Sequence, residues 1–244
     1  MENKTFLSVI IPAFNEEKRL PSTLKEIFNY LNKQSYTFEI IVVNSHSVDN
    51  TAKIVEELMK DIHHLKLINL EKNLGKGFAV REGCLKSSGE ICVFADADNS
   101  TPIYQIEKFI PEIQKGFDVL IASRNIRGAI LDPPQPFLRR FLGFAFKVYR
   151  KVILDLWGIE DTQCGFKMFK REVVEKVFPH CKINGFAFDP EILILIKKQG
   201  FKIKEIPVLW KNDLDSKVKL KHVFQMALDI LKIRLNIIFK KYNL

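Results

Sequence analysis

The stretch ICVFADADNSTP, Ile91 to Pro102, ends an apolar run with two carboxylates one residue apart, Asp96 and Asp98. In an extended chain residues i and i+2 project to the same side, so the pair forms a two-pronged anionic claw where a strand leaves the core. A hard divalent cation, Mg²⁺ or Mn²⁺, suits such a claw. These ions take one or two carboxylates and complete their shell with water and phosphate oxygens. The same residues also spell an ordinary turn into a helix, with Thr101 as N-cap and Pro102 at the first helical position. A second D-x-D, Asp213 and Asp215, has no apolar run before it and reads as a turn. Spacing alone leaves both readings of Asp96 and Asp98 open.

The elements that must position the claw are legible in the first half. Apolar runs (Leu7 to Phe14, Phe38 to Ser45, Leu65 to Leu70, Glu90 to Asp96) alternate with helical patterns (Pro21 to Gln34, Asn50 to Lys60, Gly75 to Ser88). Near-continuous Val and Ile runs separated by amphipathic helices predict an α/β doubly wound fold, a mostly parallel sheet flanked by helices. Ligands in such sheets sit beyond the carboxyl ends of the strands. Those ends carry Asn15 and Glu16, then Asn44 to Asp49, then Asp96 and Asp98, so polar groups from three strands converge on one edge. Further on, Phe117 to Arg124 reads as a strand, and Gly128 to Pro136 as a loop because three prolines exclude helix. Phe137 to Trp157 reads as an apolar helix, open to either a core or a lipid-facing role. Phe201 to Trp210 is a late strand. The final helix, His222 to Lys241, puts Gln225, Asp229, Lys232, Asn236 and Lys240 on one polar stripe of an otherwise apolar cylinder, which fits an interfacial membrane helix and equally a helix packed on its own domain.

Bulk properties narrow the classes. A 244-residue chain with 47% hydrophobic content can bury one large core, and its apolar stretches are broken well before the roughly 20 residues of a membrane span. No secretory leader is visible, which predicts a cytoplasmic protein. The four cysteines, Cys84, Cys92, Cys164 and Cys181, lack metal-ligand or disulfide-framework spacing and read as buried thiols. A net charge of +9 predicts an anionic partner. No nucleic-acid module is visible, which leaves a nucleotide or an anionic membrane surface.

Taken in order, VIIPAFNEE, NLGKGFAVREG, FADADNSTP, ASRNIRG, DTQCGFKMF, FAFDPEIL and EIPVLW…SKV resemble the family 2 glycosyltransferases of GT-A (Rossmann-like) fold. Within them they resemble the polyprenyl-phosphate or dolichyl-phosphate glucose and mannose synthases, with DTQCGFK closer to the glucosyl branch. The resemblance implies one catalytic domain over 1–244, with a nucleotide-sugar half (1–125), an acceptor half (126–217) and an amphipathic membrane-surface helix (218–244). It implies a UDP- or GDP-sugar donor, a polyprenyl or dolichyl phosphate acceptor, a divalent metal (Mg²⁺ or Mn²⁺) and a place on the cytoplasmic face of a membrane. One departure stands out: where the family carries an acidic pair and a glycine, this chain has Asn44, Ser45 and His46.

By the same resemblance, Asp98 is the metal ligand with Asp96 beside it. Pro12, Ala13, Asn15, Glu16, Asn44, Asp49, Lys76, Arg81, Asp96, Ala97, Asp98, Arg124, Ser216 and Lys217 are expected around the donor. Arg127, Arg139, Arg140 and Gln163 are expected toward the acceptor. Asp161 and Gln163 are expected to orient substrate, and Asp189 to act as a base or a supporting partner, although Asp-Pro-x-Glu is also a good helix start. A hydroxyl acceptor needs such a base, whereas a lipid phosphate is already an anion. The competing readings are a GT-A enzyme acting on a glycan hydroxyl and a non-catalytic nucleotide-sugar-binding relative.

Overall fold

The computed structural model describes residues 4–133, 137–211 and 220–243, with 137–142 and 220 described by backbone alone. Alternating strands and helices follow one another as the periodicity predicts: β1 (Leu7–Ala13), α1 (Leu20–Leu31), β2 (Phe38–Asn44), α2 (Thr51–Leu58), β3 (Leu65–Asn69), α3 (Lys76–Lys86) and β4 (Ile91–Ala95). The second half adds α4 (Ile110–Gln114), β5 (Val119–Ser123), β6 (Ile130–Asp132), α5 (Phe137–Leu154), β7 (Phe166–Lys170) and α6 (Arg171–Val177). It closes with α7 (Phe188–Lys198), β8 (Ile203–Pro207), β9 (Leu209–Lys211) and α8 (Leu220–Ile238).

Among the described residues the main sheet has seven strands in the order β3-β2-β1-β4-β7-β5-β8. Side chains alternate across it. Ile10, Ile41 and Val43 enter the core on one face, while Val9, Ile11 and Val42 enter the core on the other. Burial on both faces is what turns these strands into unbroken apolar runs. All pairings are parallel except those of β7, which runs antiparallel to β4 and to β5. The reversal has a consequence for the site. Ala95 pairs with Phe166, so the segment leading into β7 lies at the same edge where the parallel strands end.

Three expectations are corrected. The Gly128 to Pro136 stretch is not all loop, since β6 pairs with β9 in a small parallel ribbon. Thr101 is not a helix cap: a 3₁₀ turn over Ile103–Lys108 begins after Pro102, and the Thr101 hydroxyl lies 3.7 Å from Cys164 Sγ. The apolar helix stops at Leu154 rather than reaching Trp157. Strand β7 was hidden from the pattern because a lysine, Lys167, sits fully buried in mid-strand, against the usual preference of lysine for the surface.

Helix α8 packs on its own domain along one face and leaves a second face exposed. Met226, Ile230 and Ile233 are buried on the domain, whereas Phe224, Leu228, Leu231, Leu235 and Ile238 form an exposed apolar stripe. Asn236, expected on the polar face, is buried. Tyr149 of α5 donates to the Ala227 carbonyl at 3.0 Å, and the exposed Phe144, Val148, Val152 and Trp157 lie on or just past that neighbouring helix.

Candidate active site

The carboxyl edge is assembled from β1, β2, β4 and β5 plus the lead-in to β7. Parallel register brings Ala13, Asn44 and Asn69 level with one another. Beyond β1, Asn15 adopts a left-handed backbone (φ +53°) and clips the next loop, its N–H donating to Ser47 Oγ (2.9 Å) and its Oδ1 accepting from Val48 N–H (2.9 Å). The buried Glu16 takes a two-pronged grip from Arg19 at 2.8 Å per prong, and its N–H donates to Thr51 Oγ1. Asp49 accepts from the N–H groups of Thr51 (3.0 Å) and Glu17 (3.2 Å). Pro12 and Ala13 end β1 at this edge.

At the position where the family resemblance expects an acid, the Asn44 amide is occupied internally. Its Oδ1 accepts from Ser47 N–H (3.1 Å), and its Nδ2 donates to Asn69 Oδ1 (2.8 Å). His46, where a glycine is expected, is exposed and held at φ +58°, the left-handed region that glycine enters without steric cost. The loop therefore keeps the backbone shape of a glycine turn with a different residue in it.

Beyond β4 lies the claw. Asp96 Oδ1 meets Lys76 Nζ at 2.5 Å, and Asp96 N–H donates to the Gly165 carbonyl at 3.0 Å. Gly165 is required by this approach: a Cβ there would lie 1.9 Å from Asp96 Oδ2. Asp98 Oδ1 accepts from Ser100 N–H (2.9 Å), an Asx-type turn that fixes its carboxylate, and the Ala97 carbonyl accepts from Thr23 Oγ1 (2.8 Å). Burial first, and then the charge of Asp96, push the Asp98 carboxyl up from the ordinary range.

A second row of charge lies beneath the claw. Buried Lys167 pairs with buried Asp189 and donates to the Cys164 carbonyl at 2.6 Å. Lys76 and Lys167 both lie over the Phe94 ring, 5.9 and 5.0 Å from its centroid. Burial acts to lower the Lys76 ammonium, but Asp96, Asp189 and Asp98 outweigh it and raise it. Carboxylate and ammonium thus alternate from Asp96 through Lys76 and Asp189 to Lys167. Burial raises Asp189, against the pull of Lys167 and Lys76. Asp189 accordingly does not stand free as a base. Nor does it cap α7, since it sits inside the first turn after Ala187.

On the other side of the edge, Arg124 grips Asp161 through Nε (2.7 Å) and Nη2 (2.9 Å), and its own N–H adds a third bond at 3.0 Å. Burial would raise Asp161, but the guanidinium overrides it and holds the carboxyl at about 2. Gln163 N–H also donates to Asp161 (3.0 Å), and Trp210 stacks under Arg124 at 5.1 Å. Glu205 accepts from the N–H groups of Glu160 (2.8 Å) and Asp161 (3.0 Å), clamping this lead-in to β8. Two buried polar atoms here, Thr162 Oγ1 and Gln163 Nε2, have no hydrogen-bond partner among the described residues. Arg127 lies exposed on the loop after β5.

The structure therefore brings together Asn15, Glu16, Asn44, Asp49, Lys76, Asp96, Ala97, Asp98, Arg124, Asp161 and Gln163. Arg81 departs from its expected place: its guanidinium donates to the Cys181 carbonyl (2.6 Å) and Asn184 Oδ1 (3.2 Å), bracing the loop before α7 rather than facing the claw. Arg139, Arg140, Ser216 and Lys217, like Asp213 and Asp215, lie outside the described residues. Lys167, Gly165 and Glu205 were missed as individuals. The signal for each was present in the motifs DTQCGFKMF and EIPVLW that contain them.

Comparison with known proteins gives the family and the fold. Residues 8–178 match the domain described as Glycosyl transferase family 2. A dolichyl-phosphate beta-glucosyltransferase of Trichomonas vaginalis is 37% identical over 95% of this chain and 71% of its own length. The enzymes of that name from Dictyostelium discoideum (37%; 96% and 77%) and Saccharomyces cerevisiae (35%; 96% and 75%) are similarly related. Among solved structures, glucosyl-3-phosphoglycerate synthase from Mycobacterium tuberculosis in complex with Mn²⁺, UDP and phosphoglyceric acid superposes with a TM-score of 0.70 at 19% identity, covering 96% of this chain and 78% of that one. Mannosyl-3-phosphoglycerate synthase from Rubrobacter xylanophilus does so with a TM-score of 0.70 at 17% identity, covering 97% and 75%. These neighbours share the GT-A fold.

Proposed function

This chain belongs to glycosyl transferase family 2, and from that premise we propose that it moves glucose from UDP-glucose to dolichyl phosphate or a similar polyprenyl phosphate, inverting the α linkage of the donor to β. One observation carries the choice of acceptor. The two carboxylates expected to serve the acceptor are committed to cations, Asp161 to Arg124 and Asp189 to Lys167, so neither is free to take a proton from a hydroxyl. A phosphate acceptor brings its own anionic nucleophile and needs only alignment. The names of the relatives point the same way.

The claw fits a divalent cation. Asp98 is an oxygen donor fixed by the turn, its charge weakly compensated because burial and Asp96 both oppose it, and Asp96 adds a second carboxylate. Asp98, with Asp96 beside it, would hold Mg²⁺ or Mn²⁺, which when bound supplies positive charge against the departing diphosphate. Lys76 orients Asp96 and stays an ammonium at neutral pH, next to the same charge. The loops Asn15–Glu16 and Asn44–Asp49 wall the nucleoside side. Arg124, stacked on Trp210, keeps Asp161 ionised and fixes the lead-in to β7 that carries Thr162 and Gln163.

Residues 1–125 then form the donor half, 126–217 the acceptor half and 218–244 the attachment to a membrane surface. Among the described residues no helix is long and apolar enough to cross a membrane. The exposed stripe of α8, beside the exposed side chains of α5, gives a lipid-facing surface. Product analysis with UDP-glucose and either dolichyl phosphate or free glycan acceptors tests the acceptor: label should enter the lipid phosphate alone. Label entering glycan hydroxyls at comparable rates would sink this choice.

A further inference from the structure

The loop between α6 and α7 reaches the claw from behind. The Asn184 carbonyl accepts from Phe78 N–H at 3.1 Å in the first turn of α3, the helix that begins with Lys76. Contact is close enough that a Cβ on Gly75 (φ +110°) would lie 2.5 Å from that carbonyl, and one on Gly77 would lie 2.4 Å from Phe188 Cβ. Arg81 ties the same loop to α3 through Cys181 and Asn184. The position of Lys76, and through it of Asp96, is thus set against residues 181–185.

What holds that loop is a carboxylate with no exposure, Glu191 in α7. Its Oε1 accepts from Lys182 N–H (2.9 Å) and its Oε2 from Ile183 N–H (2.9 Å). The remaining bond comes from far away in the chain: Tyr242 Oη, in the turn following α8, donates to Oε1 at 2.7 Å from a buried position. Helix α8 flanks the loop elsewhere too, with Asp229 next to Gly185 and His222 against Phe186.

We propose that Tyr242 and Glu191 are positioning residues for the donor site, a latch by which the segment after α8 holds loop 181–185 against the start of α3 and so keeps Lys76 and Asp96 in register. The proposal rests on the reading of Lys76, Asp96 and Asp98 as the donor site. Without the phenol hydroxyl, the loop samples an open form, and donor affinity falls by the fraction of molecules still closed. A hydrogen bond to a charged group of this kind corresponds to roughly a tenfold change in local opening.

The test compares wild type, Tyr242→Phe, Glu191→Gln and Asp98→Ala by amide hydrogen exchange and by steady-state transfer from UDP-glucose. Tyr242→Phe keeps the ring packed, so it removes the bond without removing the core contact. We expect the Lys182, Ile183 and Phe78 amides to exchange about tenfold faster while Val9 to Ile11 are unchanged, and KM for UDP-glucose to rise, by less than that tenfold because only the closed fraction counts, with kcat within about twofold. Glu191→Gln should move the same amides and the same constant. Faster exchange spread evenly over the sheet, or exchange at Lys182, Ile183 and Phe78 and a KM both equal to wild type while Asp98→Ala abolishes transfer, would overturn the latch and leave the donor site standing. Transfer that survives Asp98→Ala, or is absent from wild type, would overturn the donor-site reading and the latch with it.

Discussion

Replacing Gly165 by alanine tests whether the placement of Asp96 controls the chemistry. The backbone at Gly165 is not in the left-handed region, so alanine meets no conformational objection and the effect is purely one of space. Its Cβ would lie 1.9 Å from Asp96 Oδ2 and 2.2 Å from Cγ. Ordinary contact begins near 3.5 Å, so the carboxylate must retreat by roughly 1.5 Å. It cannot do so and keep Lys76, which it meets at 2.5 Å. Overpacking of this kind costs about 1–3 kcal/mol of stability. A reacting group displaced by about 1 Å costs on the order of 100-fold in rate. The expected result is therefore kcat/KM for transfer from UDP-glucose lowered about 100-fold in a protein that still folds, as read by thermal unfolding. Gly143→Ala, with nothing within 4 Å of the added methyl, is the control and should leave activity unchanged. A Gly165→Ala enzyme within about threefold of wild type would refute the argument that Asp96 must sit where it does.

Other consequences can be checked alongside. Asp161 titrates at about 2 in the fold against 3.8 ordinarily, so its contribution is present above pH 4 and is lost as pH falls from about 4 to 2. That contribution is about 2 kcal/mol, and urea titrations of Asp161→Asn should show that part of the acid dependence gone, within a total loss of about 3–5 kcal/mol from stranding Arg124. Lys167→Met should destabilise by about 3–5 kcal/mol by leaving Asp189 buried and unpaired, and Lys167→Met with Asp189→Leu should recover most of that; equal stability of the single and double variants would contradict the pairing. Cosedimentation with phosphatidylserine-containing vesicles should weaken at least about tenfold when Phe224, Leu228 and Leu231 are all changed to serine, since each loses burial worth about 1.5–3 kcal/mol. Unchanged cosedimentation would separate α8 from the membrane.

How much of this was legible depended on where each residue's role comes from. The parallel strands were readable because burial on both faces writes Val and Ile into every position, and the claw was readable because strand period places i and i+2 together. Strand β7 was not, because its central Lys167 is buried for the sake of Asp189, a partner 22 residues away that no local pattern reports. Arg81 shows the opposite error: its motif suggested the donor, but its guanidinium reaches a loop 100 residues on. Asp189 and Asp161 were recognisable as site residues, whereas their commitment to Lys167 and Arg124 emerges only from packing. The outward stripe of α8 and its buried stripe are both mainly apolar, so only the position of the domain separates them.

Asp98 is expected to serve transfer of glucose to a lipid phosphate. The most direct measurement follows radiolabel from UDP-glucose into dolichyl phosphate, with and without Mn²⁺ or Mg²⁺, for wild type and Asp98→Ala. The expected result is a lipid-linked product that needs the cation and disappears in the variant. A wild-type enzyme that makes no such product with any cation present, or an Asp98→Ala enzyme that makes it at an undiminished rate, would contradict the account.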